Sequence, residues 1–507
     1  MTILFKTTAE ITQESMQSHL THTFYVPEES QALSIDFQFA PDILEDEPKQ
    51  KAIISETLKS YNLFPDNNEI APLIDKYSPL KNLLTLSVDD PNGFRGARHC
   101  HAPDQHITIA EQNSSPGMLN GALTSGLWSV TISVHAIVTD KCNFSLAIKS
   151  DIKQTEDTIR IPWFNPINIS NFPENKLEHI IAPVCGNSSE YVWKAAELHT
   201  HTFHSDGQQD VAEMVHTAEQ QGLDVLAITD HNTTSPLREM EDQLNRTSLQ
   251  LLYGLEWTTF FGHMLTFGYP ELTYTDWRKL GPTDVHKGLE KIHELGAVAG
   301  MAHPFRIGNP IGTGCHWEFK MENINDFDFI EVWNGNNPSP SFYNQQAMEF
   351  WTKLLNKGYR IPATAGRDWH HNNDPQAKYA ITYVHMPQDT KDFRKDFLQS
   401  IREGRISISY YSVLSLAIIQ AETVYTIGET VRKDGSRHQL VMTMQEVPVH
   451  ATYKLVSNKG LITEGDLPKN GIEIPLSSES LTWIRAEVYN QEKELIAFTN
   501  PIYFKIK

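Results

Sequence analysis

The stretch HTHTFHSDG, residues 199–207, places His199 and His201 directly after a short predicted strand. An HxH triplet alone is weak evidence, because 22 histidines in 507 residues make about one such triplet expected by chance. The chain has a second triplet, His99-Cys100-His101, in a different context. The first triplet is informative because it ends a strand that precedes a helix, the place where barrel enzymes gather catalytic groups.

A strand and helix alternation extends outward from this stretch. Asp210 is typical of a helix N-cap, apolar residues from Val211 to Ala218 have helical spacing, and Gly222 predicts the helix end. Repeated units of this kind imply parallel strands in a barrel or a doubly wound sheet. Further helices are predicted at residues 286–295, 342–356 and 391–402, and strands at residues 225–228, 297–302 and 361–365.

Histidine and carboxylate side chains recur at the predicted strand ends of this region. Because the carboxyl ends of barrel strands meet at one mouth, we expect these side chains to converge there. Imidazole and carboxylate together favour divalent ions in open, water-accessible sites. The candidate metal ligands are His199, His201, Asp206, His231, Glu256, His263, His303, Asp368 and His370.

Five motifs of this region resemble the ordered motifs of the PHP (polymerase and histidinol phosphatase) metallohydrolases. They are HTHTFHSDG, ITDHNTT, GLEWTTFFGH, AHPF and GRDWH. The match is closest to the carbaryl-hydrolase-like (CehA/McbA) branch, to which EVWNG at residues 331–335 and the flanking β regions are also similar. The resemblance covers most of the chain. It implies a distorted (β/α)7 barrel that binds two or three divalent ions, which are zinc, manganese or iron.

The resemblance also implies three ligand sets and two catalytic residues. Glu256 would bridge two ions together with a hydroxide, and Asp368 would both bind metal and accept the proton of the nucleophile. The three sets are His199, His201, Glu256 and Asp368 for one ion, Glu256, His263 and His303 for a second, and Asp206, His231 and His370 for a third.

Two arginines that flank the motifs are predicted to bind an anionic group of the substrate. Arg306 follows His303 by three residues, and Arg367 precedes Asp368 at a position where many relatives carry a small residue. The planar guanidinium matches two phosphoryl oxygens. The alternative for Arg367 is an ion pair with a carboxylate such as Glu331, because adjacent strand residues point to opposite faces.

The regions on either side are predicted to form short strands separated by turns. We therefore expect an α/β fold with three domains: an N-terminal β-sandwich over residues 1–190, the metallohydrolase barrel over residues 193–408, and a C-terminal β-sandwich over residues 409–507. A loop-like stretch rich in proline and asparagine, residues 165–189, leads out of the first domain.

Several further residues have both a functional and a structural interpretation. His99, Cys100, His101 and His106 would form a separate metal site or lie in a surface turn. We expect the turn, so that alanine at both His99 and His101 leaves activity and metal content unchanged.

The tryptophans at strand ends (Trp257, Trp333 and Trp369) either pack in the core or line a substrate pocket. Glu331 and the remaining central histidines (His204, His216, His286, His293, His316 and His371) are candidates for solvated positions or for positions behind the ligands.

Composition restricts the partners. A formal net charge of −21 argues against nucleic acid and anionic membranes, both of which select basic surfaces. No apolar run approaches the ~20 residues of a membrane-spanning helix, and no signal peptide is evident, so a cytoplasmic location is expected. The four scattered cysteines indicate neither a disulfide framework nor a cysteine-ligated zinc. The expected partner is a small-molecule substrate, and the oligomeric state stays open.

Three functions compete. A phosphoesterase is favoured, because most PHP relatives act on phosphates and two arginines flank the motifs. A carboxylic ester, carbamate or amide hydrolase is the alternative that the CehA/McbA resemblance supports. A non-catalytic module stabilised by metal is the third, against which the complete ligand set argues, because a purely structural site needs fewer ligands.

Overall fold

The N-terminal part of the computed structural model is a pair of antiparallel sheets with two helices. The strand orders are β1-β8-β3-β6 and β2-β7-β4-β5, and side chains from both sheets, such as Phe37 and Val130, share one hydrophobic cluster. The elements are β1 (Thr2–Ile11), β2 (Ser18–Val26), β3 (Ser30–Ala40), α1 (Glu47–Ser60), α2 (Asn67–Tyr77), β4 (Leu83–Asp90), β5 (Gly93–Arg98), β6 (Asp104–Ala110), β7 (Gly126–Ala136) and β8 (Cys142–Ile152).

Helices α1 and α2 correct the all-β prediction for this region. The side chain of Asp46 accepts a hydrogen bond from the backbone of Lys49 and so caps α1, which also has a proline in its first turn. Ile54 and Leu58 of α1 are buried in a cluster that includes Ile307 of the central region. The sequence contains the cap signal, but the contact that stabilises the helix pair comes from a distant part of the chain.

The central region alternates strands and helices as predicted. Its helix α3 begins at the predicted N-cap, where Asp210 and Glu213 form a capping box, and the predicted strand and helix at residues 225–228 and 342–356 have the predicted bounds. The elements are β9 (Tyr191–Glu197), α3 (Val211–Gln220), β10 (Val225–Ile228), α4 (Leu237–Gln243), β11 (Gln250–Thr258), β12 (His263–Phe267), α5 (Val285–Glu294), β13 (Val298–Met301), β14 (Phe329–Asn334), α6 (Phe342–Asn356), β15 (Ala363–Gly366), β16 (Ile381–Pro387), α7 (Phe393–Arg402) and β17 (Ile406–Ser409).

Strands β9 to β15 lie side by side in chain order, and their neighbours are parallel except on both sides of β12. The chain that leaves β15 pairs with the chain that leaves β9. His201 N donates to Trp369 O at 3.0 Å, and Trp369 N donates to His199 O at 3.1 Å. The first and last strands of the run are therefore adjacent at their carboxyl ends. This arrangement brings the carboxyl ends of the parallel strands and the amino end of β12, which begins at His263, to one place.

The C-terminal part consists of strands in the residues that the structure describes. The central sheet continues from β17 into this part through β26, β25, β22 and β23, so the predicted boundary at residue 408 falls inside a strand that joins the two regions. A separate sheet has the order β19-β18-β21-β24. The elements are β18 (Leu414–Gln420), β19 (Thr423–Thr426), β20 (Thr430–Lys433), β21 (His438–Met444), β22 (Thr452–Ser457), β23 (Gly460–Asp466), β24 (Ile472–Leu476), β25 (Trp483–Tyr489), β26 (Leu495–Thr499) and β27 (Ile502–Ile506).

The structure describes residues 1–61, 67–152, 191–270, 276–321, 323–371, 379–433 and 437–506. The predicted loop-like stretch at residues 165–189 lies outside them. Within the described ranges, no helix has both the length and the apolar character required to cross a membrane.

The N-terminal sheets pack directly against the central region. The guanidinium of Arg278, between β12 and α5, donates to both carboxylate oxygens of Asp89 on β4 at 2.7 and 2.8 Å. Thr233, which follows β10, donates to the backbone of Gly117. These contacts place one face of the N-terminal region beside the carboxyl ends of the central strands.

Candidate metal centre

Glu256 lies near the end of β11 and is completely buried, with its carboxylate surrounded by imidazole rings. A buried carboxylate requires hydrogen bonds, cations or metal ions around it, since an isolated charge is strongly destabilised in the interior. Five ring nitrogens lie within 3.3 Å of its oxygens: His199 Nε2 (3.3 Å), His201 Nε2 (3.2 Å) and His231 Nδ1 (3.0 Å) face Oε2, and His263 Nδ1 (2.9 Å) and His303 Nε2 (3.1 Å) face Oε1.

Asp368, just beyond β15, faces His199 and His201, two of the histidines that also face Glu256. Its Oδ1 lies 3.3 Å from His199 Nε2 and 3.1 Å from His201 Nε2, and also 3.4 Å from His370 Nδ1. Its Oδ2 contacts the guanidinium of Arg306. Asp368 has a φ of 55°, a left-handed conformation that costs a non-glycine residue energy and that is common at functional sites.

Asp206, in the loop that follows β9, is the third carboxylate that faces several histidines. Its Oδ1 lies 3.2 Å from His370 Nε2, 3.5 Å from His231 Nε2 and 4.0 Å from His201 Nδ1. The loop itself is held by Asp230, which accepts hydrogen bonds from the backbone and hydroxyl groups of both Thr202 and Ser205. The ITDH motif therefore contributes a loop anchor in addition to a candidate ligand.

These side chains have the chemistry and spacing that a divalent metal requires. Ligands about 2.1 Å from a tetrahedral ion are separated by about 3.4 Å, close to the 3.1–3.3 Å that separate His199 and His201 from the two carboxylates. Several of the facing atoms are buried without any hydrogen-bond partner, which metal coordination would supply. They include His199 Nε2, both ring nitrogens of His201, Glu256 Oε2 and Asp206 Oδ1.

The charge state of the cluster follows from this crowding. Burial lowers the pKa of His201, but attraction from the carboxylates of Asp368 and Glu256, 3.1 and 3.2 Å from its Nε2, outweighs burial and raises that pKa to about 10. Burial opposes ionisation of Glu256 and Asp368, yet the surrounding cationic groups, His199 first, hold the pKa of both carboxyls well below the usual range. The pKa of His199 is likewise raised well above its usual value by the neighbouring carboxylates, Glu331 first, although burial opposes this, whereas burial lowers the pKa of His231 and His303.

Glu331 of β14 positions two of the histidines. Its Oε1 lies 2.9 Å from His199 Nδ1, and its Oε2 accepts a hydrogen bond from the backbone of His303 at 2.9 Å and another from Asn334 Nδ2. A carboxylate behind a metal-binding imidazole fixes the ring orientation and the tautomer. Of the positions that the sequence left open for Glu331, the structure shows the one behind the candidate ligands.

A cavity of about 410 Å³ opens over the cluster. Its walls include Arg306 from the central region and Lys76 and Lys81 from the N-terminal region. Apolar side chains, among them Leu80 and Ile307, complete the lining. The size is typical of a small-molecule site.

The model of the PHP domain family matches residues 197–499, which is more than half of the chain. The chain belongs to the PHP family. A PHP match that reaches residue 499 includes most of the C-terminal strands, in agreement with the sheet that joins them to the centre.

A 5'-3' exoribonuclease from Haemophilus influenzae is 38% identical over 66 residues, which are 13% of this chain. The match spans about a quarter (24%) of that relative. Among solved structures, a two-domain protein from Bacteroides vulgatus with a predicted PHP-like metal-dependent phosphoesterase is 15% identical, with a TM-score of 0.38, and the match covers 62% of this chain and 96% of that one. An amidohydrolase from Chromobacterium violaceum is 15% identical, with a TM-score of 0.27 and coverage of 42% of this chain and 96% of that one.

The structure brings all nine candidate ligands together beside this cavity. Seven of them line it: Asp206, His231, Glu256, His263, His303, Asp368 and His370. Groups of potential ligand atoms within 4.8 Å of one another include one of His199, His201, Glu256 and Asp368 and another of His201, Asp206, His231 and His370. Glu256, His263 and His303 meet through the contacts given above. Which of these residues bind metal stays a prediction.

The two predicted arginines differ in position. Arg306 lines the cavity, whereas Arg367 is buried behind the cluster, with its Nε 2.7 Å from Glu197 Oε2 and its guanidinium over the ring of Trp369. Arg367 therefore does not lie where substrate enters. Arg367 and Asp368 point in opposite directions, as expected, but both lie beyond β15, and the partner of Arg367 is Glu197 rather than Glu331.

The other residues with two interpretations are also placed. Trp257, Trp333 and Trp369 are buried in hydrophobic clusters and do not line the cavity. His204 contacts Ser235 and Glu239.

The surface-turn interpretation is wrong for His99, which is buried, and both His99 and His101 line the cavity. Cys315 also lines it, and its proximity to His263 and His303 had no sequence signal.

Proposed function

We propose that this protein is a metal-dependent phosphoesterase that acts on a small anionic substrate. Membership of the PHP family supports a hydrolase. The observation that carries the phosphoester assignment is the position of Arg306, whose side chain is partly exposed in the cavity and contacts Asp368 of the cluster. A guanidinium beside the metal ligands can bind two phosphoryl oxygens while the phosphorus faces the cluster.

Two carboxylates have distinct proposed roles. Glu256 faces histidines with both oxygens and would hold two ions at a fixed separation. Asp368 has one oxygen toward His199 and His201 and the other toward the cavity side, where Arg306 lies, so it can accept a proton from the attacking water. Divalent ions held there supply Lewis acidity, which acidifies water and offsets the charge that develops on the ester oxygens.

The cavity supports a small substrate with more than one anionic or polar group. Lys76 and Lys81 lie in its wall in addition to Arg306. Three cationic side chains share this cavity with the carboxylates of Asp206, Glu256 and Asp368, and in a chain with net charge −21 they are the groups that would bind an anionic substrate. We keep the expectation that nucleic acid is not the substrate.

The test compares p-nitrophenyl phosphate with p-nitrophenyl acetate, which share a leaving group, with and without added zinc or manganese. We expect metal-dependent turnover of the phosphoester that EDTA abolishes. Faster metal-dependent turnover of the acetate would favour the carboxyl-ester alternative. No turnover of any ester by the metal-loaded protein would contradict an enzymatic function and favour the non-catalytic module.

The carboxyl-ester, carbamate or amide hydrolase remains the second candidate because part of the cavity wall is apolar. Leu80, Leu83 and Ile311 could accommodate a hydrophobic acyl or aryl group. This candidate agrees with our assignment to the CehA/McbA branch, which stays a proposal. Arg306→Ala separates the two, since it should weaken turnover of the phosphoester but not that of a neutral ester.

The finer features of the fold and cofactors are also proposals. The adjacency of the chain ends after β9 and β15 supports the distorted (β/α)7 barrel, and the paired sheets support the flanking β-sandwiches. The three carboxylates that face histidines (Glu256, Asp368 and Asp206) support two to three ions of zinc, manganese or iron. Elemental analysis that finds at most one ion per chain after reconstitution would contradict this number.

A further inference from the structure

The loop between β5 and β6 carries the second HxH triplet of the chain to the edge of the metal centre. His99 is 8% exposed and His101 retains 52% of its side-chain exposure, and both line the cavity. The two histidines belong to the N-terminal region, far in sequence from the PHP motifs. Neither takes part in the ligand sets assigned above.

Their distances to the cluster are short. The ring of His99 lies 4.4 Å from the ring of His231 between centroids, and His101 Nε2 lies 3.8 Å from Asp206 Oδ2. One potential ligand atom from each of His99, His101 and Asp206 lies within 4.8 Å of the other two. The Nδ1 atom of His99 is buried without a hydrogen-bond partner, an arrangement that costs free energy unless a ligand compensates it.

The two oxygens of Asp206 face two different sets of histidines. Oδ1 faces His370 and His231, whereas Oδ2 faces His101. A carboxylate in this position can bind a different ion with each oxygen. Asp206 Oδ2 and the two histidines His99 and His101 are therefore available for an ion in addition to those assigned to the nine candidate ligands.

The loop is held in place from both regions. Arg98, which precedes His99, donates to the backbone oxygens of Pro116 and Phe203, the second of which lies in the HTHTFHSDG stretch. Gly117 is bound on both sides, since its amide donates to Ser235 and its carbonyl accepts from Thr233. These bonds fix the position of the triplet relative to Asp206, as a preorganised site requires.

We propose that His99, His101 and Asp206 bind a further divalent metal ion, with zinc the best match to two imidazoles and one carboxylate. Three protein ligands leave a coordination position open, as in zinc sites that also contact substrate or water. Because His99 and His101 line the cavity, that position is accessible to an anionic substrate. The site shares Asp206 with the proposed centre but does not depend on the phosphoester assignment.

The test measures zinc bound per chain. Full-length protein is reconstituted with zinc, separated from free metal and analysed by inductively coupled plasma mass spectrometry. His101→Ala and His99→Gln should each bind one zinc ion fewer than the wild type. His106→Ala is the matched control, because His106 lies in the same region but pairs with Asp36 outside the cavity, and it should retain the full number.

Unchanged zinc content in a folded His101→Ala variant would overturn the proposal. His101 is sufficiently exposed that alanine should leave the thermal unfolding temperature unchanged, so this variant remains informative even if His99→Gln fails to fold. Lower activity with unchanged zinc content would identify the pair as substrate contacts and would also overturn the metal site. An anomalous zinc peak between His99, His101 and Asp206 in a crystal would support it. Failure of the phosphoester screen alone would leave the zinc count, and this site, intact.

Discussion

At the level of single residues, Glu256 and Asp368 have different surroundings, which support the two roles proposed for them. Both are completely or nearly buried, and both are surrounded by imidazole nitrogens at 2.9–3.4 Å. Only Asp368 also faces a cavity cation, Arg306. The two carboxylates are therefore not equivalent, even though each would contact metal.

Glu256→Gln and Asp368→Asn should each reduce kcat more than tenfold. Asp368→Asn removes the proposed general base, which contributes about 10²–10⁴-fold, and Glu256→Gln removes the charge proposed to hold two ions. Glu256→Gln should in addition lower the bound metal, since it removes the bridging charge. Steady-state kinetics and metal analysis check both. If either variant kept more than about a tenth of the wild-type kcat, the role assigned to that residue would be wrong.

Arg306→Ala should reduce kcat/KM for a phosphoester by about 10- to 150-fold, the loss of a charge-assisted bond worth about 1.5–3 kcal/mol. Turnover of a neutral ester should change little. Arg367→Ala is the contrasting variant. It leaves the buried carboxylate of Glu197 without its guanidinium and should lower the free energy of unfolding by about 3 kcal/mol. Equal losses on both ester classes for Arg306→Ala would argue against anion recognition.

Metal affinity should rise with pH. The raised pKa of His201, about 10, means that its ring is protonated at neutral pH in the metal-free protein, so an ion must displace that proton. Each unit of pH below about 10 should therefore weaken zinc binding about tenfold per displaced proton. Zinc titrations against a competing chelator at pH 6 and pH 8 measure this change. An affinity that is the same at both values would contradict the competition.

At the level of elements, the carboxyl end of β15 must approach the end of β9 closely. Gly366 is the last residue of β15, and a Cβ atom there would lie 2.4 Å from Glu331 Oε1 and 2.6 Å from His199 Cβ. Both neighbours belong to the metal centre, so neither can move without changing its geometry. The absence of a side chain at Gly366 is a condition for His199 and Asp368 to share a ligand set.

Gly366→Ala should lower zinc affinity and the thermal unfolding temperature together, because the clash displaces His199 and its carboxylate partner. Gly281→Ala is the control, since a Cβ atom there meets only the flexible side chain of Asp284, at 3.0 Å. Calorimetry with and without zinc measures both effects. Wild-type zinc affinity in Gly366→Ala would show that the strand end tolerates the methyl group.

At the level of the whole molecule, the cavity over the cluster is formed by two regions. The central region contributes the candidate ligands, and the N-terminal region contributes His99, His101, Lys76 and Lys81 to the wall. The Arg278–Asp89 pair and the Ile307 cluster hold the regions together. Substrate specificity should therefore respond to changes in the N-terminal region that do not touch the PHP motifs.

Lys81→Ala should reduce kcat/KM for a phosphoester about fivefold, as expected for an exposed charge worth about 1 kcal/mol, without changing the unfolding temperature. Lys51→Ala, on the exposed side of α1 and outside the cavity lining, should have no effect. Adding salt should diminish the difference between the two variants. An identical rate for the two at low ionic strength would exclude Lys81 from substrate binding.

Local patterns in the sequence were sufficient for the alternating elements of the central region and for the nine side chains that meet at its strand ends. Helix caps such as Asp210 and strand ends such as the one before His199 depend on only a few neighbouring residues, so they can be predicted from the sequence alone. The family motifs have the same property, because most of the candidate ligands lie within a few residues of a strand end, although His263 begins its strand.

Contacts between distant segments had no such local signal. Both Arg367 and Arg306 were predicted to bind substrate, with an ion pair as the alternative for Arg367, and the structure shows Arg367 facing Glu197 and Arg306 facing the cavity. The two HxH triplets are equally weak as patterns, and the packing of the N-terminal sheets on the central strands brings the second one to Asp206. Helices α1 and α2 are buried against Ile307, almost 250 residues later in the chain. Long-range packing determines which side chains share a cavity, because it depends on surfaces that form only when the chain has folded.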